Sequence, residues 1–228
     1  MDKVKLIAYT HPSPVLQQEF GDLKMNLQEI IAYCARVSNP SNQMNTETSD
    51  KLLNYLINNH HWSPFETVSA TLEINTTRDI AHQILRHRSF SFQEFSQRYA
   101  DARTMGFEYK EPRLQDPKNR QNSVEGVDSH VQYGWRVIQD QIIEATKVAY
   151  GWAIENGIAK EVARVVLPEG MTQTRIYMAG TMRSWIHYIS LRTAGGTQKE
   201  HREIALECAD ALEPVFPMIR GIKPVEKS

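Results

Sequence analysis

The chain has 228 residues, with 26 lysines and arginines against 27 aspartates and glutamates and a formal net charge of −1. A balance this close to zero gives no global case for a nucleic-acid or membrane partner, so any anion site has to be local. No run approaches the ~18 apolar residues of a membrane span, and the opening MDKVKLIAYTHPSP lacks the apolar region of a signal peptide, so the expected location is the cytoplasm. Cys34 and Cys208 both sit among apolar neighbours in helix-like stretches and read as reduced core thiols.

VKLIAY (4–9) alternates and predicts a strand, ended by Pro12 and Pro14. NLQEIIAYCARVS (26–38) predicts a helix with Asn26 as its cap. Leu52, Leu53, Leu56 and Ile57 at helical spacing predict a second helix over 49–59. TVSATLEIN (67–75) alternates as a strand. Thr76-x-x-Asp79 resembles a capping box opening RDIAHQILRH. Residues 113–128 are polar, with Pro117 and Gly126, and predict a mobile surface loop. A long helix follows over about 129–155, and then a short one, IAKEVARVVLP, stopped by Pro168. TRIYMAGT predicts a strand and MRSWIHYISLR a helix. Thr197-x-x-Glu200 suggests another capping box opening HREIALECADALE, which stops before Pro214. No composition break divides the chain. The expectation is a single compact α+β domain over 1–228, with an antiparallel or mixed sheet flanked by helices.

RHRSFSFQEFSQRY (86–99) is the most unusual stretch, interleaving arginines and a carboxylate with Phe90, Phe92 and Phe95. On the preceding helix Ile80, Ala81, Ile84 and Leu85 form one stripe, while Gln83 and Arg86 fall on the other face. Arg88 would return to the apolar stripe, so either the helix ends near His87 or Arg88 meets an anion there. If the following residues are extended, Glu94, Ser96 and Arg98 share one side, and Phe95 and Gln97 the other. Arginine forks suit phosphates and aromatic walls suit a base, so the segment is nucleotide-shaped; the alternative is a solvated basic helix end with an amphipathic strand. Arg164, set in an apolar helix, calls for a carboxylate or a ligand. Arg183 and His187 lie four apart on one helix face, and Arg192 closes that helix.

In combination these motifs resemble the flavin-dependent thymidylate synthases. That family's signature is Arg-His-Arg, seven residues, then Ser; here it is Arg86-His87-Arg88, SFSFQEF and Ser96, continuing Gln97-Arg98-Tyr99. CARVS (34–38), HWSPFE (61–66), VARVVLP (162–168), Arg183-Ser184-Trp185 and Leu191-Arg192 fit in order. The resemblance implies reductive methylation of dUMP to dTMP, with methylenetetrahydrofolate as carbon donor and NADPH-reduced FAD as hydride source, in a homotetramer whose sites lie where subunits meet. By position, Gln83, Arg86, Glu94, Ser96, Gln97, Arg98, Arg164 and Arg192 would hold dUMP. Ser38, Ser63, Arg86, His87, Arg88, Glu94, Thr181, Arg183 and His187 would line the FAD site. Arg192 would be the catalytic residue, favouring the ionised uracil, and Ser96 a binding residue. No metal is implied. Thr181 stands where many members carry Asn.

Two other classes compete. A single-stranded nucleic-acid-binding protein would use the 86–99 segment, with its phenylalanines as stacking platforms; the near-neutral charge counts against it. A metallohydrolase would use His60, His61, His82 and His87, but no HExxH or comparable spacing is present.

Overall fold

A computed structural model describes residues 3–21 and 25–225; residues 1–2, 22–24 and 226–228 of the domain expected over 1–228 lie outside the described residues. The elements in order are β1 (Val4–Tyr9), α1 (Pro14–Phe20), α2 (Leu27–Ala35), α3 (Ser49–Asn58), β2 (Ser69–Thr77), α4 (Arg78–Ile84), β3 (Ser91–Glu94), β4 (Leu114–Gln115), β5 (Ser123–Val124), α5 (Ser129–Glu155), α6 (Lys160–Ala163), β6 (Gln173–Thr181), α7 (Met182–Arg192) and α8 (Lys199–Leu212). Four strands form a sheet in the order β1-β2-β6-β3, with every pairing antiparallel, and β4 pairs with β5 as a separate hairpin. The architecture is therefore α+β with an antiparallel sheet, the first of the two expected alternatives.

Strand alternation puts Ala70, Leu72 and Ile74 of β2 and Ile176 and Met178 of β6 on one buried face. That face joins α2, α4, α7 and α8 in one core, with Leu27, Ile31, Ile80, Ile84, Trp185, Tyr188, Ile204 and Leu212 almost fully buried. Burial of this kind stabilises by roughly 25 cal/mol per Å² of apolar surface. Asn26 caps α2 in a full capping box: its side chain accepts from the backbone N–H of Gln28 and Glu29, and Glu29 accepts from the N–H of Asn26 at 2.8 Å. Among the described residues no helix is long and apolar enough to cross a membrane.

The two other expected boxes do not form. Thr77, not Thr76, precedes α4, and its hydroxyl bonds to Asp79 rather than to the helix backbone. Gln198 precedes α8 without a side-chain cap, and Glu200 turns instead to Arg113. β2 runs two residues further than its alternation suggested because its register with β6 continues through Thr77↔Gln173; α4 begins at the next residue. The loop expected over 113–128 is instead the β4–β5 hairpin, tied to the start of α8. Arg113 lies 2.7 Å from Glu200, and Lys199 reaches Glu111 at 2.7 Å and Glu125 at 3.2 Å. Such long-range ion pairs leave no local periodicity to read.

Candidate active site

Helix α4 is short, ending at Ile84, which settles the question raised by Arg88: the apolar stripe stops before that residue and Arg88 is exposed. The chain then turns into β3, which pairs with β6 from Ser91↔Ala179 to Glu94↔Ile176. Phe90 fits there because residue 180 is glycine; a Cβ at Gly180 would meet its ring at 2.4 Å. Phe90 is buried against Trp185, with ring centroids 4.8 Å apart, and Phe92 and Phe95 are half-buried. The three phenylalanines therefore do not form the exposed stacking platform that a single-strand binder requires.

One cleft of about 350 Å³ is lined by Gln83 of α4, Arg86 in the turn after it, Arg192 at the end of α7, Gly196, Gln198 and Gln121 of the hairpin. It contains two guanidinium groups and no acid. Among the described residues no carboxylate pairs with Arg86 or Arg192. Arg192 donates from Nε to His87 Nε2 at 2.8 Å, so this nitrogen of His87 carries no proton and the ring is neutral. Burial, and then the Arg192 charge, push the His87 pKa down to about 4. The terminal nitrogens of Arg192 stay uncommitted to any acid.

A second cleft, of about 490 Å³, is lined by Arg78, Gln97, Glu161, Arg164, Val165, Leu167 and Glu169. Arg164, expected to need a carboxylate or a ligand, makes no ion pair among the described residues. Gln97 is buried and its Nε2 has no hydrogen-bond partner, an arrangement that costs about 1–3 kcal/mol if nothing completes it. Arg98 pairs with Glu161 at 3.1 Å, with both side chains more than half exposed. Glu94 accepts from Arg78 at 3.1 Å and Thr174 at 2.9 Å. Ser96 is exposed and lines a neighbouring groove with Glu94, Tyr99, Arg175 and Tyr177.

A third group lies at the start of α7. Thr181 donates to Glu66 at 2.7 Å, and Arg183 donates to the same carboxylate at 2.9 Å. The Arg183 Nε is buried without a partner. His187 packs on Trp62 at 4.4 Å between ring centroids, and burial, then Arg183, lower its pKa. Ser63 opens the short turn Ser63–Glu66 beside this group. Ser38 is exposed in the turn after α2. A flat ring with phosphates fits this donor set: the orphaned Arg183 Nε can take an anionic oxygen, and Trp62 and His187 offer ring surfaces.

One chain thus divides the expected dUMP set. Gln83, Arg86 and Arg192 share the first cleft, whereas Gln97 and Arg164 line the second, with Arg98 and Ser96 beside it. Glu66, Gln198 and Arg78 were not singled out from sequence. Glu66 lay inside a quoted motif, but nothing local marks it as the partner of residues 115 and 117 positions away. The four histidines of the metal alternative go to separate partners: His60 to Trp62, His61 to Tyr55, His82 to Glu169 and His87 to Arg192.

Residues 23–218 match the family model described as thymidylate synthase complementing protein. The chain belongs to the flavin-dependent thymidylate synthase family. It is 51% identical over 192 residues to a protein of Paramecium bursaria Chlorella virus 1 named as a probable flavin-dependent thymidylate synthase, covering 84% of this chain and 88% of that protein. It is 49% identical over 216 residues to the flavin-dependent thymidylate synthase of Synechocystis sp., covering 95% and 96%. Among solved structures, a UMP/dUMP methylase PolB from Streptomyces cacaoi bound with 5-Br dUMP superposes with a TM-score of 0.78 at 23% identity, covering 96% of this chain and 93% of that one; that likeness concerns the fold.

Proposed function

We propose that this member of the flavin-dependent thymidylate synthases methylates dUMP to dTMP, with methylenetetrahydrofolate as carbon donor, NADPH as electron donor and FAD as cofactor. The observation that carries the proposal is the acid-free cleft in which Arg86 and Arg192 stand together. A pair of guanidinium groups without a carboxylate is arranged for an anion supplied from outside. Residues around Arg183, Glu66 and His187 would hold the flavin, which would supply hydride when bound.

The rest of the chemistry is the chain's own. Arg192 holds a fixed positive charge and stays protonated, so it cannot serve as a base. Beside the uracil it favours negative charge developing on the ring, which makes a poor nucleophile a better one. His87 accepts from its Nε and holds the guanidinium plane. Arg164, Arg98 and the orphaned amide of Gln97 take further oxygens of dUMP. Ser96 acts by binding: among the described residues no histidine hydrogen-bonds to it, and Glu94 is already engaged by Arg78 and Thr174, so no free base among them activates its hydroxyl.

The division of these residues between separate clefts supports a shared site built from several copies of one domain in a homotetramer. So does the surface of α5, where Val131, Ile138, Ile142, Val148 and Trp152 are exposed, with Val162 and Val165 after it. Gel filtration with added FAD tests both claims. Flavin absorbance is expected to travel with protein at about four times the 26.2 kDa chain mass, and dTMP to form only with NADPH and methylenetetrahydrofolate present. A monomer that ignores FAD overturns the proposal.

A further inference from the structure

The first cleft is backed by a chain of hydrogen bonds whose direction can be worked out from one end. Glu200 is buried, yet its carboxyl pKa is lowered: burial acts to raise it, and its own backbone N–H, Arg113 and Gln198 together outweigh that. An ionised carboxylate only accepts. Gln198 therefore turns Nε2 to Glu200, at 3.0 Å, and its Oε1 faces Gln83. Gln83 must then donate from Nε2 to that oxygen, at 2.8 Å, which leaves its Oε1 facing His201 Nδ1 at 3.2 Å. His201 Nδ1 consequently carries the proton, and Nε2 accepts from the Tyr188 hydroxyl at 3.2 Å. Every amide and ring orientation follows from the single charge on Glu200.

His201 suits this task. It is fully buried; burial, then Arg192 and His87, push its pKa down to about 3, so the ring stays neutral with one donor and one acceptor. Tyr188 is also buried, and burial raises its pKa well above the usual phenol value, so its hydroxyl keeps the proton it donates. At the other end Arg113 fixes the carboxylate from the β4–β5 hairpin, with Arg113 and Glu200 side chains only 13% and 11% exposed.

We infer that Gln198, His201 and Tyr188 are positioning residues that lock the amide of Gln83, holding its oxygen inward on His201 and leaving its second N–H for the substrate. This rests on Gln83 being a dUMP contact, as proposed above. An unrestrained glutamine can present either end of its amide. A locked one offers only a donor, so this corner of the cleft accepts a carbonyl or phosphate oxygen and repels another donor. dUMP carries both kinds of acceptor, on the uracil ring and on the phosphate.

Calorimetric titration of dUMP into FAD-saturated protein tests the inference. Gln83→Ala is expected to weaken dUMP, and Gln198→Ala and His201→Leu to weaken it by roughly five- to twentyfold, the effect of about one directed hydrogen bond. In Gln198→Ala and His201→Leu the loss falls on dUMP affinity while flavin content is kept, a split that loss of structure would not produce. His201→Asn restores binding, because its amide N–H replaces Nδ1–H. Gln198 is exposed, so its variant carries the test even where the His201→Leu core fails to fold. Deoxyuridine separates the two acceptors. A loss confined to dUMP places the N–H on phosphate, and a loss shared by both places it on the base; either supports a locked donor. If Gln83→Ala weakens dUMP while Gln198→Ala and His201→Leu do not, the lock is wrong. If Gln83→Ala itself has no effect, the contact is wrong and the inference goes with it.

Discussion

The two clefts that divide the expected dUMP residues differ in how their charges are balanced. Among the described residues no acid lines the cleft around Arg192: the guanidinium is held through Nε by a neutral histidine, and its neighbour Arg86 makes no ion pair among them. Around Arg164 the acids are close. Arg98 already pairs with Glu161, and Arg78 with Glu94. The first cleft keeps its positive field for a ligand and uses neutral groups to set geometry. The second is largely self-neutralised, with one free arginine and one orphaned amide. The difference suggests a division of labour in which charge stabilisation falls to the first cleft and grip to the second.

The sharpest way to break this contrast is at Arg192. Arg192→Ala is expected to keep FAD and its reduction by NADPH, while single-turnover dTMP formation falls by roughly 10²–10³-fold. Arg192→Lys should recover only part, since a point charge does not reproduce the planar fork. A near-normal rate in Arg192→Ala would leave Arg192 as no more than a cation at the end of α7. Arg164→Ala should instead act on grip. dUMP is expected to bind roughly ten- to a hundredfold more weakly, in line with about 1.5–3 kcal/mol for a charged hydrogen bond, with the rate at saturating dUMP little changed. A fall in rate without a change in affinity would erase the distinction between the clefts.

Ser96→Ala is a milder probe of the second region. Loss of one neutral hydrogen bond costs about 0.5–1.5 kcal/mol and should leave clear turnover. Abolished turnover with intact dUMP binding would make Ser96 the nucleophile. Near neutrality the smallest effect concerns the histidines behind the first cleft. His87 and His201 are neutral in the fold, with pKa values lowered from 6.5 to about 4 and about 3. Between those values and 6.5 the unfolded chain binds the protons and the folded chain does not, so this stability is complete above about pH 6.5 and is lost as pH falls towards 4 and 3. Thermal melts from pH 7.5 to 4.5 should show a shallower decline in His201→Asn than in the wild type. Identical slopes would mean that His201 is not held neutral.

Much of the scaffold was legible because it is local. β1, β6, α5 and α7 follow from alternation or helical spacing within a few residues, and the Asn26 cap from its place just before the apolar stretch, although its box with Glu29 was not anticipated. The ordered motifs marked the family for the same reason, since each motif is a short contiguous string. The sequence could not indicate that Thr197-x-x-Glu200, a local capping pattern, would lose to a buried ion pair. Arg113 is 87 positions from Glu200, and in a desolvated setting the charge–charge contact outweighs a helix cap.

By itself, then, the amino-acid order determined the α+β composition, the near-zero net charge, and the motifs that carry the family. Only the tertiary structure decided how they are grouped. The register of β6 against β2 and β3 carried Glu94 to Thr174 and Arg78. The packing of α8 on α4 set His201 behind Gln83. The folding of the β4–β5 hairpin brought Arg113 to Glu200. These pairings join residues 16 to 118 positions apart. Their strength comes from exclusion of water inside the assembled core, a condition that no single segment creates before the others have packed around it.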